Sequence, residues 1–121
     1  MLDTVGPQML KVDHPSPFMT FTFEVNDEWK TRVGEVVHED GTSRAQVLKR
    51  EYNPRYYDMM LALEKLTGNG VSLNTSLNRR GEPMICSPTD ALNMFYGSDL
   101  QYLIMEDILV VKDGKDWYDN V

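Results

Sequence analysis

Two dipeptides constrain this chain more than any other feature. Asn53-Pro54 and Ser87-Pro88 each set a capping side chain before a proline that suits the first helical turn. After Asn53, the residues Tyr56, Met59, Met60, Leu63 and Leu66 recur at spacings of three and four, so they are expected to form one apolar helical stripe. Gly68 is the expected stop. After Ser87, Asp90 stands where the reciprocal acid of a capping box belongs. Ala91, Leu92 and Phe95 give that helix its expected buried face, and Gly97 ends it.

The remaining apolar segments read as strands. Phe21, Phe23 and Val25 alternate with Thr20, Thr22 and Glu24, the period of a half-buried strand within residues 18–25. Residues 33–38 and 44–48 are further extended candidates, and Val71-Ser72-Leu73 is a short one after the first helix. Tyr102 to Met105 and Ile108 to Val111 make either a hairpin or one strand with a bulge. The order β-β-β-α-β-α-β-β indicates an α/β chain of the α+β kind, a mixed sheet covered by two main helices. Residues 1–15 lack a period and are expected to be an irregular arm. Residues 113–121 read as a polar tail apart from Trp117 and Tyr118. The 121 residues fit a single domain.

Composition excludes several functions. Twelve Lys and Arg against nineteen Asp and Glu give a net charge of −7, so no nucleic-acid partner is expected. Cys86 is the only cysteine, which rules out an intrachain disulfide and a cysteine-rich zinc site. His14 and His38 cannot complete a zinc site without carboxylates, so no metal site is expected within the chain. No apolar run reaches the roughly 18 residues of a membrane span. The opening residues lack the basic and apolar regions of a signal peptide, and a cytoplasmic location is the expectation.

Three polar segments lie between the regular elements. His38-Glu39-Asp40-Gly41-Thr42-Ser43-Arg44 offers hydroxyls and a guanidinium at a tight turn, and reads as a phosphate-binding loop or a hairpin turn with a surface arginine. Residues 73–83 carry Asn74, Thr75, Ser76, Asn78, Arg79 and Arg80, a donor set suited to an anion beyond a strand end, or a long loop of turn formers. Ser87 to Asp90 is explained by helix capping. His38 is the candidate general base, with a structural role as the alternative. Cys86 is expected to be a buried, inert thiol.

Asp40-Gly41-Thr42-Ser43-Arg44-Ala45-Gln46, Asn53-Pro54-Arg55-Tyr56-Tyr57-Asp58 and the whole run from Leu73 to Pro83, followed by Ser87-Pro88-Thr89-Asp90-Ala91, resemble a family. It is the C-terminal region of the O-carbamoyltransferases of nodulation and antibiotic tailoring. The resemblance extends from Ser16 to Lys112. Ser43 and Ala45 stand where that family commonly has Ala and Pro, and Leu77 where it often has Phe.

The resemblance implies a YrdC-like domain with a twisted mixed sheet, which forms carbamoyl-adenylate from carbamoyl phosphate and ATP with Mg²⁺. A separate N-terminal domain then passes the carbamoyl group to an acceptor hydroxyl. Carried over, Arg44, Asn78 and Arg80 would contact phosphate or carbamoyl oxygens. Ser76 with Asn78 matches a Ser-x-Asn signature that Thr75 supports. Together Arg44, Arg79 and Arg80 would let an acidic chain hold an anion if focused on one cleft. The family's upstream Gly-Asn-Arg-Ser-like and Lys-x-Arg-like motifs have no counterpart here. The chain is therefore expected to be an incomplete version of the domain, inactive alone and partnered by the missing N-terminal portion in cis or trans. The alternative is a non-catalytic nucleotide- or protein-binding module.

Overall fold

A computed structural model describes residues 1–112, and the polar tail lies outside the described residues. The chain is α+β, as expected, and divides into two compact units, Met1–Asn74 and Thr75–Val121. Its strands pair as two short antiparallel pairs, and the parallel component is a bridge from Leu2 to Leu48.

In the first unit the opening residues form core, not an arm. Leu2, Val5, Met9 and Leu10 are buried with Phe23, Val25, Trp29 and Met60. Helix α1 (Gly6–Met9) lies between the Leu2–Leu48 bridge and an antiparallel bridge from Leu10 to Val25. Four helical residues between two bridges carry neither a 3.6 nor a 2.0 period, so no pattern marked them.

The expected strand at 18–25 contracts to β1 (Phe23–Glu24), which pairs with β2 (Thr42–Ser43), Phe23 opposite Ser43. Phe21 is half exposed and meets His14 edge-on at 5.2 Å. Residues 33–38 are not a strand. Asn26 precedes helix α2 (Asp27–Arg32), and a 3-10 turn, Gly34–Val36, follows. Acids in the first turn of α2 and bases in its last favour the helix dipole, and bonds from Val36 N to Val33 O and from Val37 N to Gly34 O hold the following residues in a turn. Arg32 lies 4.1 Å over the Trp29 ring and donates to Gly68 O and Asn69 Oδ1.

Helix α3 (Pro54–Thr67) starts and stops where its signals place it. Asn53 Oδ1 accepts from Tyr56 N at 3.0 Å, and Gly68 takes the left-handed conformation at φ 75°. Its buried face is rotated from the expected stripe: Met60 is buried, Tyr57, Leu61 and Leu63 are half-buried, and Leu66 is 86% exposed. The Tyr57 hydroxyl donates to Asp3 Oδ1 at 2.9 Å, which turns that face inward. Residues 71–73 do not form a strand. Beside them Gly70 O accepts from Leu2 N, and a Cβ at Gly70 would lie 2.9 Å from Leu2 Cδ1.

The second unit holds helix α4 (Pro88–Tyr96) and the hairpin β3 (Tyr102–Met105) and β4 (Ile108–Val111), with Tyr102 opposite Val111 and Met105 opposite Ile108. The two apolar runs are thus a hairpin, turning through Glu106 at φ 54°. Ser87 Oγ accepts from Asp90 N at 3.1 Å and donates to Asp90 Oδ2 at 2.7 Å, the capping arrangement expected. Ala91, Phe95 and Leu103 form its core, flanked by Leu77, Ile85 and Leu92.

Candidate functional site

The loop before β2 is organised by a left-handed glycine. Gly41 at φ 80° closes a tight turn in which Gly41 N donates to His38 O at 2.9 Å and His38 N to Thr42 O at 2.7 Å. Asp40 Oδ1 accepts from both Thr42 N (3.0 Å) and the Thr42 hydroxyl (2.6 Å). These bonds hold the Asp40 carboxyl below the usual carboxylate range, and it stays ionised. His38 Nδ1 lies 3.0 Å from Thr42 Oγ1.

This loop forms one wall of a cleft of about 280 Å³ within the first unit, lined among others by Glu35, His38, Arg44, Gln46, Tyr56 and Ser72. Ser43 is buried, so Arg44, next along an extended segment, is directed outward. Among the described residues Arg44 makes no ion pair or hydrogen bond. Tyr56 Oη and Ser72 Oγ pair with each other at 3.1 Å, and Asn74 Nδ2 lies 3.4 Å from Met19 Sδ. The cleft thus offers a fixed positive charge and an oriented imidazole, a combination that can hold and read a small anion.

The second unit carries the other residues singled out in the sequence. Thr75, Ser76 and Arg80 are exposed, with no hydrogen bonds to described residues. Asn78 has a different role. Its Nδ2 donates to Arg79 O at 3.1 Å and Glu82 O at 2.8 Å, closing a turn that also uses Gly81 at φ 86°. Its Oδ1 is buried and lacks a hydrogen-bond partner. Arg79 is engaged as well: Nη2 donates to Asn93 O at 3.1 Å, near the C-terminal end of α4, where the helix dipole favours a cation. A Cβ at Gly97 would occupy the place of the Arg79 guanidinium. Arg79 is therefore not a free anion donor.

Cys86 is exposed, which corrects the expectation of a buried thiol. Its neighbours include Met84 and Ile85, but they leave the sulfur open beside the Asp90 carboxylate at 3.5 Å. Asp90 accepts from the thiol and repels its anion, pushing the Cys86 pKa up and leaving it a poor nucleophile. His14 bonds Pro15 O at 2.7 Å among Phe21 and Phe23, away from the cleft's lining. The sequence marks His38 and Arg44 singly and does not show the Asp40–Thr42–His38 chain. Its signal was the Asp-Gly-Thr order, which favours an aspartate-capped turn.

No three His, Cys, Asp or Glu side chains gather as metal ligands among the described residues, and no helix there is long and apolar enough to cross a membrane.

The carbamoyltransferase C-terminus family matches residues 1–112. An uncharacterized protein of Synechocystis is 32% identical to this chain, over 87% of it and 20% of the relative. The nodulation protein NolO of Bradyrhizobium diazoefficiens is 38% identical, over 84% of this chain and 19% of the relative. A nodulation protein U of Rhizobium tropici is 34% identical, over 66% and 14%. The chain spans a fifth or less of the length of these relatives.

Proposed function

The chain belongs to the carbamoyltransferase C-terminus family, and from that premise we propose that it binds carbamoyl phosphate and ATP for carbamoyl-adenylate formation. One observation carries this reading: Arg44 stands on the cleft of the first unit with its guanidinium free of partners among the described residues. An arginine left unpaired beside an oriented histidine is suited to a phosphate, which takes a planar bidentate donor. The family resemblance also gives Thr75, Ser76, Asn78 and Arg80 as candidate contacts for phosphate or carbamoyl oxygens. In the second unit the exposed side chains of Thr75, Ser76 and Arg80 support that assignment, whereas Asn78 Nδ2 already donates to Arg79 O and Glu82 O and its Oδ1 can only accept.

In the proposed reaction water cleaves carbamoyl phosphate to carbamate and inorganic phosphate. A carbamate oxygen then bonds to the α-phosphorus of ATP as the bond to pyrophosphate breaks, and the added charge falls on phosphoryl oxygens. Fixed guanidinium and hydroxyl donors stabilise that charge without moving a proton. Mg²⁺ would arrive on the nucleotide, since this ion takes most of its ligands from phosphate and water. Transfer to an acceptor hydroxyl belongs to the upstream portion of the longer relatives, in cis or in trans, so the chain alone is expected to bind and not to turn over.

Calorimetry with ATP, carbamoyl phosphate and both together tests the reading. Heat that disappears in Arg44→Ala, with an unchanged circular dichroism spectrum, supports it. Absence of heat at millimolar ligand overturns it. Pyrophosphate release by the chain alone contradicts its dependence on the upstream portion.

A further inference from the structure

We infer that His38 is a specificity-determining residue, whose Nε2 accepts a hydrogen bond from the amide of the carbamoyl group and so distinguishes carbamoyl phosphate from other acyl phosphates. The inference rests on the carbamoyl phosphate reading above and goes beyond it, because it assigns which atom reads the carbamoyl nitrogen.

Proton placement carries the argument. Thr42 has one hydroxyl proton, and Asp40 Oδ1 at 2.6 Å is an ionised acceptor with nothing to donate, so that proton lies between them. Thr42 Oγ1 must then accept from His38, and His38 Nδ1 at 3.0 Å carries a hydrogen. In the neutral imidazole, Nε2 is left with a bare lone pair. The ring lines the same cleft as Arg44, which offers only donors. A carbamoyl phosphate ligand has complementary ends: anionic oxygens for Arg44, and an amide that donates and needs an acceptor. Acetyl phosphate has the same anionic end and a methyl group in place of that amide.

Glu35 and Gln46 also bring acceptor oxygens to the cleft. Glu35 has no hydrogen bond to described residues that would fix its direction. Gln46 is tied through Nε2 to Pro17 O at 2.8 Å. His38 differs from both in that its tautomer and orientation are set by a chain ending on a charged carboxylate.

The test measures affinity for carbamoyl phosphate and acetyl phosphate by calorimetry in the wild-type chain and four variants. The wild type is expected to prefer carbamoyl phosphate about 3- to 10-fold, the value of one hydrogen bond. His38→Ala removes the preference, so that carbamoyl phosphate and acetyl phosphate bind with equal affinity. His38→Gln, which restores an acceptor, keeps part of it, and Thr42→Val, which frees the ring, loses part. Gln46→Ala leaves it intact.

Equal affinity for the two ligands in the wild type overturns this inference alone. So does a preference that survives in His38→Ala, or one that is lost in Gln46→Ala. Failure of the wild type to bind either acyl phosphate overturns the parent reading and this one with it.

Discussion

The loop at residues 38–44 and the run at residues 74–83 have similar compositions, each with a glycine, hydroxyls and arginine, yet their side chains do different things. In the first, the internal bonds run from Asp40 through Thr42 to His38 and leave Arg44 unengaged. In the second, Asn78 closes its own turn and Arg79 binds a carbonyl of α4. The difference lies in what stands nearby. Arg79 has the carbonyl-rich end of a helix within reach, where a cation is stabilised, whereas Arg44 follows a buried serine on an extended segment and has only solvent and the cleft before it. Polar density marks a loop of interest, and the local backbone decides which of its side chains remain available.

The largest expected effect tests whether the first unit depends on its opening residues. Leu2→Ala should destabilise the chain by about 2–5 kcal/mol, as for a fully buried leucine, measured by urea denaturation. A change below about 0.5 kcal/mol, normal for a surface site, would restore the irregular arm.

A paired substitution breaks the comparison most cleanly. Arg44→Ala should weaken carbamoyl phosphate binding by about 10- to 100-fold, the value of charged hydrogen bonds, with little change in Tm. Arg79→Ala should do the reverse, lowering Tm and leaving affinity in place. An exchange of these outcomes would mean that the two arginines have been assigned the wrong way round.

Gly97→Ala sharpens the role of Arg79. The added methyl displaces the guanidinium from Asn93 O, a loss on the order of 1 kcal/mol. In an Arg79→Ala background the same substitution should cost less, because only the 3.1 Å approach to Asn93 O remains, so the two effects are expected not to add.

The smallest effect concerns acid. Hydrogen bonds from the Ser87 hydroxyl, then from the Cys86 backbone and thiol, hold the Asp90 carboxyl below its ordinary range near pH 4. Because the folded pKa is the lower one, this contribution is fully present above about pH 4. It disappears as pH falls through the lowered value. The stability gap between wild type and Ser87→Ala should therefore shrink on acidification; a gap independent of pH would contradict the assignment.

Both long helices were legible because their signals are local: Asn53-Pro54 with Gly68, and Ser87-Pro88 with Asp90 and Gly97, each act within one turn. The hairpin at 102–111 was legible from its two apolar runs. What escaped depends on distant partners. Helix α1 is too short to show a period and is held by Leu48 and Val25. The face of α3 was set by Asp3, more than fifty positions from Tyr57. Arg44 was legible as a candidate donor, but its availability was not, because an unengaged side chain leaves no mark in sequence. Nor did the sequence show that Arg79 rests against Gly97.

The central claim is that ligand binding resides on the Arg44 cleft. Backbone amide shifts of the isotope-labelled chain, followed during titration with carbamoyl phosphate, test it most directly. The expected result is saturable change at residues 35–46 and 71–74, absent in Arg44→Ala. Saturable change confined to residues 75–85, or retained in Arg44→Ala, would contradict the claim.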